Sequence, residues 1–153
     1  MRYLLLLCYL LFGAFVADKH PVFQNHGDII AKSSELYLYK IAAQPTAPEA
    51  QEATRSYIED YEIFESYVIE DAELDAFKDL VLDKSQYIED KKMCPMQAQY
   101  ALLFRNKKHY IALVLSSAQC EKVLILSSEK DIHKHYHDLR EQNQLRSMLR
   151  QWD

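Results

Sequence analysis

Residues 100–115, YALLFRNKKHYIALVL, decide the fold class. Two apolar runs, Tyr100 to Phe104 and Tyr110 to Leu115, flank the polar stretch Arg105, Asn106, Lys107, Lys108 and His109, which is the pattern of two strands joined in a hairpin. Lys122 to Leu126 supplies a third strand of the same character. Apolar residues stand at both parities of these strands, so the sheet is expected either to be covered on both sides or to leave one apolar face as a binding surface.

Upstream, ELYLYKI (35–41) alternates as a strand does, with Leu36 and Leu38 on one face and Tyr37, Tyr39 and Ile41 on the other. Residues 42–53, AAQPTAPEAQEA, carry two prolines and no large apolar group, and read as a surface loop. In YEIFESYVI (61–69), Tyr61, Ile63, Tyr67 and Ile69 fall at even spacing around Glu65, with Phe64 and Val68 opposite, giving a further strand. Asp71 is read as the cap of a helix reaching about residue 84, whose Leu74, Phe77, Leu80 and Val81 make one apolar stripe for the sheet. From Asp131 to Trp152 the composition is helical. There Ile132, Tyr136 and Leu139 share one face while Leu145, Met148, Leu149 and Trp152 point half a turn away, so a bend near Gln142 to Gln144 or a partner for the last stretch is expected.

The expectation is an α+β domain over 18–153: an antiparallel sheet of about five strands, one packed central helix and a C-terminal helix. It is preceded by residues 1–17, in which Arg2 leads an apolar run from Tyr3 to Ala17. That run is shorter than the roughly 18 to 20 residues that cross a bilayer, and it reads as a signal peptide, with an uncleaved anchor as the alternative because Phe15 spoils the small-x-small cleavage pattern. Contact with a membrane is expected only if the segment is retained. Cys8 lacks the small residues before it that a lipoprotein site requires.

Export makes Cys94 and Cys120 a disulfide candidate. A turn centred on Lys107 pairs Tyr100 with Val114 and Phe104 with Tyr110, and the same register carried outward sets Cys94 opposite Cys120. Pro95 suits the start of a strand, where its missing donor costs little. The spacing is far from C-x-x-C, which weighs against a redox pair. The stretch MCPMQAQYALLFRNKKHYIALVLSSAQCEKVLI (93–125) resembles small uncharacterised exported bacterial proteins and lipoproteins in which Cys-Pro opens a hairpin and a second Cys follows it. The resemblance covers about a quarter of the chain, and it implies a bacterial envelope setting, periplasmic or secreted, and no catalytic residues.

Composition excludes several chemistries. Glycine occurs only at positions 13 and 27, so neither a phosphate-cradling loop nor a strained nucleophile elbow is present. Asp71, Glu73, Asp75 and Asp79 imitate a calcium loop, but Ala76 and Leu82 stand where its glycine and bidentate glutamate belong. Segment 49–90 carries a charge of −11 and residues 91–153 a charge of +5. The acidic segment is therefore either a solvated face or a dock for a basic partner, whereas nucleic-acid binding is disfavoured. In HKHYH, His133 and His137 stand at i and i+4 of the expected helix and could share a metal ion, with His135 turned elsewhere. Two ligands are too few for a tight site, and the expectation is no metal and no cofactor. Glu62, Glu65, Asp71 and the histidines could supply an acid and base, yet no spacing selects a pair. The function expected is a non-enzymatic protein-binding module of inhibitor or immunity type, binding through the acidic segment, the C-terminal helix or an open sheet face. The rival is an envelope hydrolase or thiol-redox enzyme.

Overall fold

The computed structural model describes residues 27–88, 91–128 and 135–152. The expected signal segment, Cys8 and His133 lie outside them. The chain is α+β, and the described residues form eight antiparallel strands rather than about five. In chain order these are a short helix α1 (Gly27–Ala31), β1 (Glu35–Ile41), β2 (Tyr57–Ile58), β3 (Tyr61–Ile69), α2 (Asp71–Leu82), β4 (Tyr87–Ile88), β5 (Ala98–Asn106), β6 (His109–Ser116), β7 (Lys122–Ser127), β8 (His135–Leu139) and α3 (Gln144–Leu149). The spatial order is β2-β3-β1-β5-β6-β7-β8-β4. The three additional strands are the two-residue edges β2 and β4, too short to show a period, and β8.

The β5–β6 hairpin forms where the sequence places it, with a tighter turn. Only Lys107 and Lys108 lie between paired Asn106 and His109, and Lys107 takes a positive φ of 55°. The register is accordingly one residue away from that expected: Tyr100 faces Leu115 and Phe104 faces Ile111. A bulge at Gln99 then restores the expected offset, so that Ala98 faces Ser116.

Both faces of the sheet are covered, by different means. On the first face Leu36, Leu38, Leu102, Phe104, Leu113 and Ile125 pack beneath Ile30 of α1, Leu74, Phe77 and Val81 of α2, and Leu145 and Leu149 of α3. On the second face Ala101, Ala112, Val114, Leu124 and Leu126 pack with Ile58 and Tyr61 of the β2–β3 hairpin. That hairpin reaches over the sheet: the Tyr110 hydroxyl of β6 donates to Glu59 Oε1 at 3.0 Å, although a flat sheet would hold β3 and β6 about 14 Å apart. The sheet thus curls around its second face.

A bulge explains how one strand serves two cores. β3 pairs Glu65 with Lys40 but Ile63 with Ile41, leaving Phe64 without a partner on β1. The extra residue inverts the alternation. Tyr61 and Ile63 belong to the second core, whereas Tyr67 and Ile69, of the same parity, belong to the first.

Two expectations about helices are corrected. α2 begins at Asp71 itself, with Glu70 in the cap position and no side-chain cap bond, and it stops at Leu82. Asp71 and Glu73 instead favour the N-terminal dipole from inside the first turn. The continuous C-terminal helix is not formed: β8 occupies residues 135–139, and α3 begins only after Gln142, whose φ is 58°. The two apolar stripes read from the sequence fail to align because they belong to a strand and a separate helix.

Candidate functional site

Cys94 and Cys120 form a disulfide with a Cα separation of 6.0 Å, joining the segment before β5 to the loop before β7. This covalent pair is compatible with an oxidising compartment. Closing a loop of this span stabilises by about 3–4 kcal/mol in the chain-entropy account. Beside it opens a cleft of about 650 Å³ lined by Lys92, Met93, Cys94, Gln119, Glu121 and Arg150, among others. Among the described residues its lining mixes cations and carboxylates and contains no histidine. Behind the cleft Asp138 is buried, accepting from the Lys92 amide at 2.6 Å with Lys122 Nζ at 3.9 Å.

Sequence reasoning missed Arg146, which is buried at 8% exposure on α3. Its guanidinium lies 5.6 Å from the centroid of the Tyr100 ring and donates from Nη2 to Gln99 Oε1 at 2.7 Å. The bulge at Gln99 turns that amide toward it. Arg146 Nε and Glu121 Oε2 are both buried with no hydrogen-bond partner among the described residues, and both residues line one small cavity under α3. The only sequence signal for this arrangement is an arginine embedded in the apolar stripe of Leu145, Met148 and Leu149.

The two bulges lie on either side of one point of β1. Phe64 of β3 and Gln99 of β5 flank Lys40 and Ile41, and together with Tyr100 they line a shallow hollow of about 430 Å³. Lys40 is committed there: its Nζ is 3.1 Å from Glu65, and the Tyr67 hydroxyl donates to the same carboxylate in a short hydrogen bond. The Tyr67 and Lys40 bonds hold the Glu65 carboxyl below its ordinary value.

His137 lies on β8, not on a helix, and His133, with which it was expected to share a metal ion, is outside the described residues. His135 and His137 are the residues brought together, with ring centroids 6.4 Å apart. Among the described residues no group of three or more His, Cys, Asp and Glu side chains is placed to hold a metal ion. The candidate acid and base residues are dispersed as well: Glu62 meets Arg55 at 2.6 Å, Glu65 is held by Lys40 and Tyr67, and Asp71 stands exposed at the start of α2.

The acidic segment presents an ordered surface on α2. Asp71, Asp75 and Asp79 are exposed at four-residue spacing, with exposed Ala72 and Ala76 between them. Like charges at i and i+4 cost about 0.2–0.5 kcal/mol per pair, so the fold tolerates a small local penalty to keep this row. Lys78, 3.1 Å from Asp75, offsets part of it. Among the described residues no helix is long and apolar enough to cross a membrane. Comparison with known proteins finds no matching family model, no matching curated protein and no matching solved structure.

Proposed function

We propose that this chain is a small exported envelope protein that acts as a non-enzymatic binding module, capturing a basic protein in the manner of an inhibitor or immunity protein. The observation that carries the reading is the row Asp71, Asp75 and Asp79 on the outer face of α2. Three aspartates at four-residue spacing, with exposed Ala72 and Ala76 beside them, make an acidic strip that Lys78 meets at Asp75. A helix selected only for stability would place basic residues at i+4 along the row, whereas here Lys78 meets Asp75 alone. The buried face of α2 is anchored by Leu74, Phe77 and Val81, so the strip is carried on a fixed platform. The disulfide supports the export part of the reading.

The test is capture of proteins from the native host's envelope fraction, followed by association kinetics with the captured protein. A basic partner is expected whose association slows on the order of tenfold or more from low to high salt. Replacing Asp71, Asp75 and Asp79 together by Asn should slow association on the order of tenfold while changing stability by no more than about 1 kcal/mol, because relief of the like-charge pairs opposes the loss of Asp71 from the helix N-terminus and of the Asp75–Lys78 pair. A partner whose binding ignores both salt and the triple substitution would sink the reading.

A further inference from the structure

Charged side chains of both signs line the cleft beside the disulfide: Lys92 and Arg150 against Glu121 and Glu141. Among the described residues none of the four side chains is engaged in an ion pair or a hydrogen bond. Glu121 turns Oε2 into the protein while the residue as a whole is half-buried, so Oε1 is the oxygen a ligand can reach. The walls are fixed from three directions. The disulfide and the bond from the Lys92 amide to buried Asp138, at 2.6 Å, hold one of them. The Leu139 amide donates to the Glu121 carbonyl at 2.9 Å, and Arg150 ends α3, whose first turn is capped by Asn143. The cleft is therefore formed before any ligand arrives.

The charge pattern says what fits. A ligand of one sign would meet like charges as well as opposite ones and gain little, whereas a ligand with a cation at one end and an anion at the other can pair with both sets. The amides of Gln119 and Gln142 add donors and acceptors of the kind a peptide backbone requires, and Met93, 97% exposed, adds apolar surface to the same lining. The volume of about 650 Å³ lies within the range of about 300–1,000 Å³ typical of small-ligand sites, and a single amino acid would leave most of it to water. We propose that this cleft binds a short zwitterionic peptide of about two to four residues, with its ammonium end at Glu121 and Glu141 and its carboxylate end at Lys92 and Arg150. No residue of α2 is in the lining among the described residues, so the proposal stands whether or not the acidic row binds a basic protein.

Titration of the full, disulfide-bonded chain with tri-alanine, followed by amide NMR, tests it beside two blocked probes, N-acetyl-tri-alanine and tri-alanine amide. Tri-alanine should bind with a dissociation constant on the order of 1 mM or tighter and move the amides of residues 92–94, 119–121, 141, 142 and 150. Blocking either end should weaken binding about tenfold. The variants assign the ends. With Lys92→Gln and Arg150→Gln combined, the gap between tri-alanine and its amide should close while the gap to the acetylated probe remains; Glu121→Gln and Glu141→Gln combined should do the reverse. None of these four side chains is fully buried, so folding is expected to be retained, checked by the melting curve of each variant. Amides that stay unmoved at about 10 mM tri-alanine, blocked probes that bind as tightly as the free peptide, or gaps that survive the matching substitutions would overturn the proposal.

Discussion

Tyr87 shows how one buried phenol ties two elements together. Its hydroxyl donates to the Val81 carbonyl at 2.7 Å, closing the C-terminal turn of α2, and its ring is only 3% exposed. Burial pushes the phenol well above its ordinary value of 10, with nearby Asp83 adding to the shift. Because the folded state holds this proton more tightly than the unfolded chain, stability is present in full below about pH 10 and is lost as pH rises beyond it. Replacing Tyr87 by Phe leaves a buried carbonyl unpaired, at an expected cost of about 1–3 kcal/mol near neutral pH. The same variant should flatten the alkaline fall in stability, measured by urea titration at several pH values above 9. An unchanged alkaline slope would assign that fall to other tyrosines.

At the level of elements, the C-terminal region depends on a cap. Buried Asn143 accepts the Arg146 amide on its side-chain oxygen at 2.7 Å and donates to the carbonyl of exposed Arg140 at 2.9 Å. It therefore starts α3 and holds the chain that arrives from β8. Asn143→Ala should cost about 1–2 kcal/mol, and it should loosen α3 selectively, seen as faster amide exchange from 145 to 149 with β5 and β6 unchanged. The strand β1 was legible because Leu36 and Leu38 alternate cleanly with Tyr37 and Tyr39, and each set is found in its own core. β3 was legible as a strand, but its bulge was not. A bulge changes which face a residue meets without changing the residue pattern, and here the curl of the sheet over the β2–β3 hairpin decides it. β8 was misread because HYHDL has too few apolar residues to show a period of two, and its pairing with β7 overrode the helical composition.

For the whole molecule, the central strands are enclosed on two sides, which makes them sensitive at both parities. Leu113 belongs to the core under the helices and Val114 to the core under the β2–β3 hairpin, and both are fully buried. Leu113→Ala is expected to cost about 2–5 kcal/mol and Val114→Ala about 1.5–3 kcal/mol, read from chemical denaturation with a single cooperative transition. If the hairpin did not cover the second face, Val114→Ala would fall within about 0.5 kcal/mol of the parent. The sequence by itself determined the strand-rich class, the β5–β6 hairpin, the apolar stripe of α2 and the pairing of Cys94 with Cys120. These follow from local periodicity, turn chemistry and cysteine arithmetic, which act over a few residues or along one hairpin. Only the tertiary structure decided the two bulges, the division of β3 between two cores, the strand at 135–139, the buried Arg146 and the charged cleft beside the disulfide. Each of these depends on which strand lies beside which, and that is settled by contacts between residues far apart in the chain.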